Sequence, residues 1–252
     1  MLTIDINCDM GEGFGPWPMG NDAALMQHIS SANIACGFHA GDPLIMQKTV
    51  ALALAHGVAI GAHPGYPDLQ GFGRRSLQLS PAEVHAQVLY QIGALQAIAR
   101  AAGASLHHVK PHGALYNAAA KDRPLADAIA RAVQAADKQL ILYGLSGSAL
   151  IEAAQAIGLR HCSEVFADRR YERDGSLTPR SHPDALLGEV ESVVAQALGL
   201  VRDQGVYCRT GEWIEIRAET LCLHGDGPQA ERFAQALFRA FQEAGIGIAF
   251  KK

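Results

Sequence analysis

The sequence predicts a single α/β domain built as a closed barrel of seven parallel strands, and three observations predict it. Short apolar runs alternate with longer helical ones from end to end, the pattern of strands joined by crossover helices. The chain has 252 residues, the length at which such a barrel forms one domain. One face of each early strand is polar or small throughout. Thr3, Asp5, Asn7 and Asp9 alternate with Leu2, Ile4, Ile6 and Cys8; Asn33, Ala35, Gly37 and His39 with Ile34, Cys36 and Phe38; Ala59, Gly61 and His63 with Val58, Ile60 and Ala62. A flat parallel sheet buried on both sides would be apolar on both. A barrel instead turns its aliphatic face to the helices and its polar face to a lumen with room for a ligand.

The strands are expected at residues 3–8, 32–37, 58–62, 105–110, 139–143, 163–167 and 219–224. Asp42-Pro43 caps and opens a helix that stops at His56-Gly57. Ser80-Pro81-Ala82-Glu83 is a capping box for a helix running to Gly103. Gly227-Pro228 opens the last helix, which ends near Gly245. Residues 71–75 (Gly-Phe-Gly-Arg-Arg) and 171–183 form long polar connections, and such loops in this architecture carry function. No linker or compositional break divides residues 1–252.

Composition excludes several classes. With 49% hydrophobic residues the chain can build a core and is not disordered. Lys and Arg number 21 against 25 Asp and Glu, a net charge of −4 that offers no field for nucleic acid or an anionic membrane. No apolar run has the length of a spanning helix and no signal-type segment opens the chain, so a soluble cytoplasmic protein is expected. The five scattered cysteines, without a CxxC pair, read as reduced core residues.

In a β/α barrel the chemistry sits at the carboxyl ends of the strands. Asp9, His39 and His63 come from three consecutive strand ends. One carboxylate and two imidazoles suit a divalent metal that lowers the pKa of bound water. The same side chains equally suit substrate hydrogen bonds or general-base work. Lys110 and His112 share a face of the fourth strand; an inward lysine wants a carboxylate or a substrate anion, and otherwise snorkels at the rim. Arg169, Arg170 and Arg180 flank Asp174-Gly175 and suit bidentate anion recognition or plain solvation, as do Arg74 and Arg75. His28, His56, His85 and His161 fall on helices and read as surface or capping residues. Neither a Walker A loop nor a G-x-G-x-x-G turn follows any strand. Residues 144–148 (Gly-Leu-Ser-Gly-Ser) fit an anion-binding turn or an ordinary βα turn.

Six motifs in order, NCDMGEGFG, NIACGFHAGD, GAHPGYPD followed by GFGRR, VKPHGALYN, SEVFADRRY and CLHGDGP, resemble the LamB/YcsF family, the A subunits of 5-oxoprolinases, over essentially the whole chain. The resemblance implies a distorted (β/α)7 TIM-like barrel akin to the polysaccharide deacetylases. It implies ATP-dependent opening of 5-oxo-L-proline to L-glutamate, with ADP and phosphate as co-products, together with partner subunits B and C. On that reading Asp9, His39 and His63 activate water, with or without a divalent metal, and Lys110 and His112 complete the catalytic set. Asn7, Glu12, Asp168, Arg169, Arg170, Arg180, His224 and Asp226 bind substrate or phosphate. Alanine at His63 or Lys110 is expected to leave folding intact and abolish turnover. Two other readings stand beside it: a metal-dependent amidohydrolase or carbohydrate deacetylase acting without ATP, and a non-catalytic lactam-binding subunit. An exposed apolar patch would serve partner binding or a homo-oligomer.

Overall fold

The computed structural model describes residues 2–225 and 229–251. Its strands are β1 (Thr3–Met10), β2 (Ser31–Ala35), β3 (Ala59–His63), β4 (His108–Val109), β5 (Ile141–Leu145), β6 (His161–Phe166), β7 (Gly205–Tyr207), β8 (Trp213–Glu215), β9 (Thr220–Leu223) and β10 (Gly247–Ile248). Seven of them close a parallel barrel in the order β1-β2-β3-β4-β5-β6-β9, with β9 returning to β1 in the register Asp5–Thr220 to Cys8–Leu223. Each falls on an expected strand. β7 and β8 form an antiparallel hairpin inside the last crossover, and β10 lies beside Thr3 and Ile4; none of these three is expected from the sequence pattern.

The helices are α1 (Asp22–Leu25), α2 (Pro43–His56), α3 (Pro81–Ala101), α4 (Gly113–Ala119), α5 (Arg123–Ala136), α6 (Ala149–Ala156), α7 (Val190–Leu198) and α8 (Ala230–Glu243). Their ends follow the side chains that satisfy orphan backbone groups. Asp42 accepts from the Leu44 and Ile45 amides, Pro43 opens α2, and Gly57 closes it at φ +67°. Ser80 and Glu83 form the reciprocal capping box of α3, whose buried stripe Val84, Val88, Ile92, Leu95 and Ala99 follows the helical period. Gly227-Pro228, expected to open α8, lies outside the described residues.

Along β1 the even residues Ile4, Ile6, Cys8 and Met10 join the core beneath the helices, while Asp5, Asn7 and Asp9 point into the lumen. The amino-terminal half of that lumen is not an open cavity but a packed polar network. Asp5, 1% exposed, accepts hydrogen bonds from the Ser30, Ser31, Tyr143 and Thr220 hydroxyls at 2.7–2.9 Å. His108 crosses the lumen to Asn33 Oδ1 (2.7 Å). Gly61 permits this, since a Cβ there would lie 2.1 Å from His108 Nε2. The lumen opens into a cavity at the carboxyl end of the strands, where these large side chains stop.

Candidate active site

That opening is a cavity of about 510 Å³. Its floor is built from the ends of β1, β3 and β4 and from the loops after them. Asp9 Oδ1 accepts from Lys110 Nζ (3.1 Å) and Asn33 Nδ2 (2.9 Å), and Asp9 Oδ2 lies 3.3 Å from His63 Nε2. Burial opposes ionisation of Asp9, but His63 and Lys110 override it and hold the carboxyl well below the usual carboxylate range. Lys110 is 3% exposed, and its ammonium also meets Glu164 Oε1 (2.8 Å), Asn7 Oδ1 (3.1 Å) and Cys222 Sγ (3.0 Å). Desolvation works against its charge, yet Asp9, Cys222 and Glu164 push its pKa well above that of a free lysine. It is a fixed buried cation, not a snorkelling one.

Beside this ion pair stands a second cluster. The ligand atoms of Glu12, His39, His63 and His112, all buried, lie within 4.8 Å of one another. Two of the imidazoles are held by main-chain carbonyls: His63 Nδ1–H donates to Lys110 O (2.6 Å) and His112 Nε2–H to Phe72 O (2.8 Å). A carbonyl only accepts, so in the neutral rings His63 Nε2 and His112 Nδ1 carry lone pairs. These two atoms are 3.0 Å apart. His39 stacks on His112 with ring centroids 3.7 Å apart, and its Nε2 lies 3.3 Å from Glu12 Oε1. Burial, and then the neighbouring imidazoles, keep His39 and His112 unprotonated; the pKa of His112 falls to about 3. Lone pairs converging with a carboxylate, two of the rings oriented by a carbonyl behind them, fit a divalent cation with nitrogen and oxygen ligands. The set overlaps the expected Asp9, His39 and His63 in two members. Glu12 and His112 complete it, while Asp9 is tied to Lys110 and Asn33.

The remaining expected residues form the walls or lie behind them. His224 Nδ1 meets both Asp168 oxygens at 2.9 Å; burial would raise the Asp168 pKa, but His224 lowers it. His224 stacks on Phe166, whose ring also faces Lys110 at 5.5 Å. Arg169 lines the cavity, yet its guanidinium donates to Thr178 O (2.6 Å) and Ala185 O (3.4 Å), tying down the loop that carries Arg180 to the mouth. Burial and then Arg180 lower its pKa to about 10. Arg74, Lys121 and Arg180 line the mouth. Asn7 lies beneath the floor with its amide engaged by Glu164, Thr220, Asn33 and Lys110. Arg170 does not line the cavity and donates through its main chain to Ala185 O. Residues 144–148 form the turn into α6, with Leu145 on the cavity wall. Asp226 lies outside the described residues.

Sequence reasoning missed Glu164, Cys222 and Phe72, and Tyr116 on the cavity wall. Glu164 had a signal, the lone carboxylate of its strand, which burial there would tolerate only with an inward pairing. Phe72 had none beyond its place between two glycines.

Comparison with known proteins agrees with this architecture. The LamB/YcsF family model matches residues 4–251. The 5-oxoprolinase A subunit of Bordetella pertussis is 58% identical over 246 residues, covering 98% of each chain. The crystal structure of a lactam utilization protein from Thermus thermophilus superposes with a TM-score of 0.95 at 47% identity, covering 99% of this chain and 100% of the other. The polysaccharide deacetylase Bc1974 of Bacillus cereus shares the barrel alone, with a TM-score of 0.51 at 12% identity over 100% of this chain and 93% of the other. With a family match across nearly its whole length and a relative at 58% identity, the chain belongs to the LamB/YcsF family.

Proposed function

We propose that this chain is the lactam-opening A subunit of an ATP-dependent 5-oxoprolinase, converting 5-oxo-L-proline to L-glutamate with hydrolysis of ATP to ADP and phosphate, in company with subunits B and C. The observation that carries the reading is the juxtaposition, on the floor of one cavity, of the Asp9–Lys110 ion pair with Glu12, His63 and His112, behind which buried His39 completes the ligand set. The names of the Bordetella and Thermus relatives supply the substrate class.

Opening a five-membered lactam needs an activated water, stabilisation of a developing oxyanion and a proton for the departing nitrogen. A divalent ion held by Glu12, His39, His63 and His112 would polarise the lactam carbonyl and acidify water. Asp9, kept ionised by the Lys110 ammonium, accepts the proton of the attacking water and returns it to the ring nitrogen. Lys110, permanently charged, faces the oxyanion and keeps Asp9 in place. Arg180 and Lys121 at the mouth suit the substrate carboxylate. The lactam is a stable amide, so coupling to ATP is expected; the sequence has neither standard phosphate loop, and ATP use is assigned to the assembled enzyme.

The test is glutamate release from 5-oxoproline by the chain alone and with subunits B and C, each with and without ATP and chelator. Release that requires ATP and the partners supports the proposal. Release from the lactam or from acetylated sugars by the chain alone, without ATP, overturns it in favour of a free-standing hydrolase. Binding of 5-oxoproline without turnover in any assembled mixture leaves a non-catalytic subunit.

A further inference from the structure

We infer that Phe72 is a positioning residue for the metal-ligand set: its strained main chain and its ring hold His112, and through the stacked pair His39, in the orientation that a cation requires. The inference rests on the proposal that Glu12, His39, His63 and His112 bind a divalent ion.

Phe72 has φ +53°, one of two non-glycine residues with positive φ among the described residues. That left-handed conformation disfavours any residue with a Cβ, and such outliers persist only where the surroundings over-determine them. Here they do. The Gly71 amide donates to Asp68 Oδ1 (3.0 Å), the Phe72 amide to Leu69 O (3.3 Å), the Gly73 amide to Asp68 O (2.9 Å) and the Ala114 amide to Gly73 O (2.9 Å). Arg75 closes the turn on the same Asp68 carboxylate. The loop is thus pinned at one end to Asp68 and at the other to the start of α4, immediately after His112.

The strained residue delivers two contacts. Its carbonyl receives His112 Nε2–H at 2.8 Å, which leaves the His112 Nδ1 lone pair facing the cluster. Its ring stands edge-on to His39 (5.7 Å, 81°) and to His112 (5.1 Å, 86°), closing one side of the stacked pair. The next residue packs closely on both side chains: a Cβ on Gly73 would lie 2.7 Å from His39 Cβ and 2.8 Å from His112 Cδ2 of the ring. If residue 72 relaxed to negative φ, its carbonyl would leave Nε2, and His112 could take the other tautomer, placing a hydrogen where a ligand lone pair is needed. Carbonyl partners of this kind orient ligating histidines in metal sites generally.

The test is titration of the metal-free chain with Zn2+, by calorimetry against a competing chelator, for the wild type and for Phe72→Tyr, Phe72→Gly and Phe72→Val. The ring-nitrogen 15N shifts of His112 and the melting temperature are read on the same samples. Phe72→Tyr keeps the wild-type affinity. Phe72→Gly retains the left-handed backbone and loses the ring, weakening Zn2+ binding about tenfold. Phe72→Val, β-branched and averse to positive φ, weakens it about a hundredfold and mixes the His112 tautomers. Affinities within twofold of wild type for both Phe72→Gly and Phe72→Val, with His112 still purely Nε2-protonated, overturn the inference while leaving the metal site standing. A wild-type chain that takes up no Zn2+ overturns both. Should Phe72→Val fail to fold, the contrast between Phe72→Gly and Phe72→Tyr decides.

Discussion

His63 Nε2 and His112 Nδ1 face each other across 3.0 Å, while the opposite nitrogen of each ring donates to a main-chain carbonyl. A cation shared between these two ring nitrogens would be bound by both lone pairs at once. The expected outcome is one equivalent of Zn2+ bound per chain, with a higher melting temperature in the loaded protein. His63→Ala folds, loses that ion and loses turnover about a thousandfold. Metal analysis and thermal melts before and after chelation check it; an equal melting temperature in both states would refute it.

The burial of Lys110 argues against the sequence expectation that alanine there leaves folding intact. Its ammonium is the buried partner of both Asp9 and Glu164. Lys110→Met leaves two carboxylates inside the barrel without a cation, a loss of about 3–5 kcal/mol. Adding Glu164→Gln removes one of them and recovers part of the stability but none of the activity, because the charge facing the substrate is still missing. Urea denaturation of the single and double variants, compared as a cycle, measures the coupling.

The barrel was legible in the sequence because its strands alternate. Asp5, Asn7 and Asp9 against Ile4, Ile6 and Cys8 give both the strand and its inward face, and capping residues such as Asp42 and Ser80 mark the helices. The β7–β8 hairpin was not legible, since strands of three residues carry too short a pattern to separate from a loop. Strand-end position identified Asp9, His39, His63 and Lys110 as neighbours. It put His112 in the catalytic set and Glu12 among substrate-binding residues but neither among the metal ligands, because their exact positions depend on the path of the loops after β1 and β4, set by tertiary contacts such as that of Phe72 with His112. The lumen was expected to be open; Asp5, Tyr143 and His108 fill its lower half, and side-chain reach is not visible in periodicity.

Asp5 is a structural anchor distant from the chemistry. Four hydroxyls from three different segments converge on its carboxylate. Asp5→Ala leaves those donors unpaired in the barrel and costs about 4 kcal/mol, whereas Asp5→Asn, which keeps an acceptor, costs less. Chemical denaturation of the two variants checks the order, and equal losses would remove the anchoring role.

Acid should weaken the cavity wall through Asp168. Its folded pKa lies below the ordinary carboxylate value because His224 outweighs burial. A depressed carboxyl pKa contributes stability that is fully present above the unfolded value near 3.9 and is lost as pH falls through the folded value. Asp168→Asn therefore flattens the acid limb of the stability curve below about pH 4 and changes its shape little above. Denaturation midpoints from pH 3 to 7 measure it.

Arg180 reaches the cavity mouth on the loop that Arg169 fastens through Thr178 and Ala185, and its charge is felt by both Arg169 and Asp168. A cation at the mouth, apart from the floor where the bond breaks, should act on substrate capture equally in ground and transition states. Removing uniform binding raises KM and leaves kcat in place. Arg180→Gln is expected to raise KM for 5-oxoproline about tenfold in the assembled enzyme, with kcat within about twofold. For 2-pyrrolidinone, which lacks the carboxylate, wild type and variant should react with the same efficiency. Arg169→Gln should instead damage both parameters, because it frees the whole loop. Steady-state kinetics on the two lactams separate these outcomes, and a variant that discriminates against 2-pyrrolidinone as strongly as the wild type would move carboxylate recognition away from Arg180.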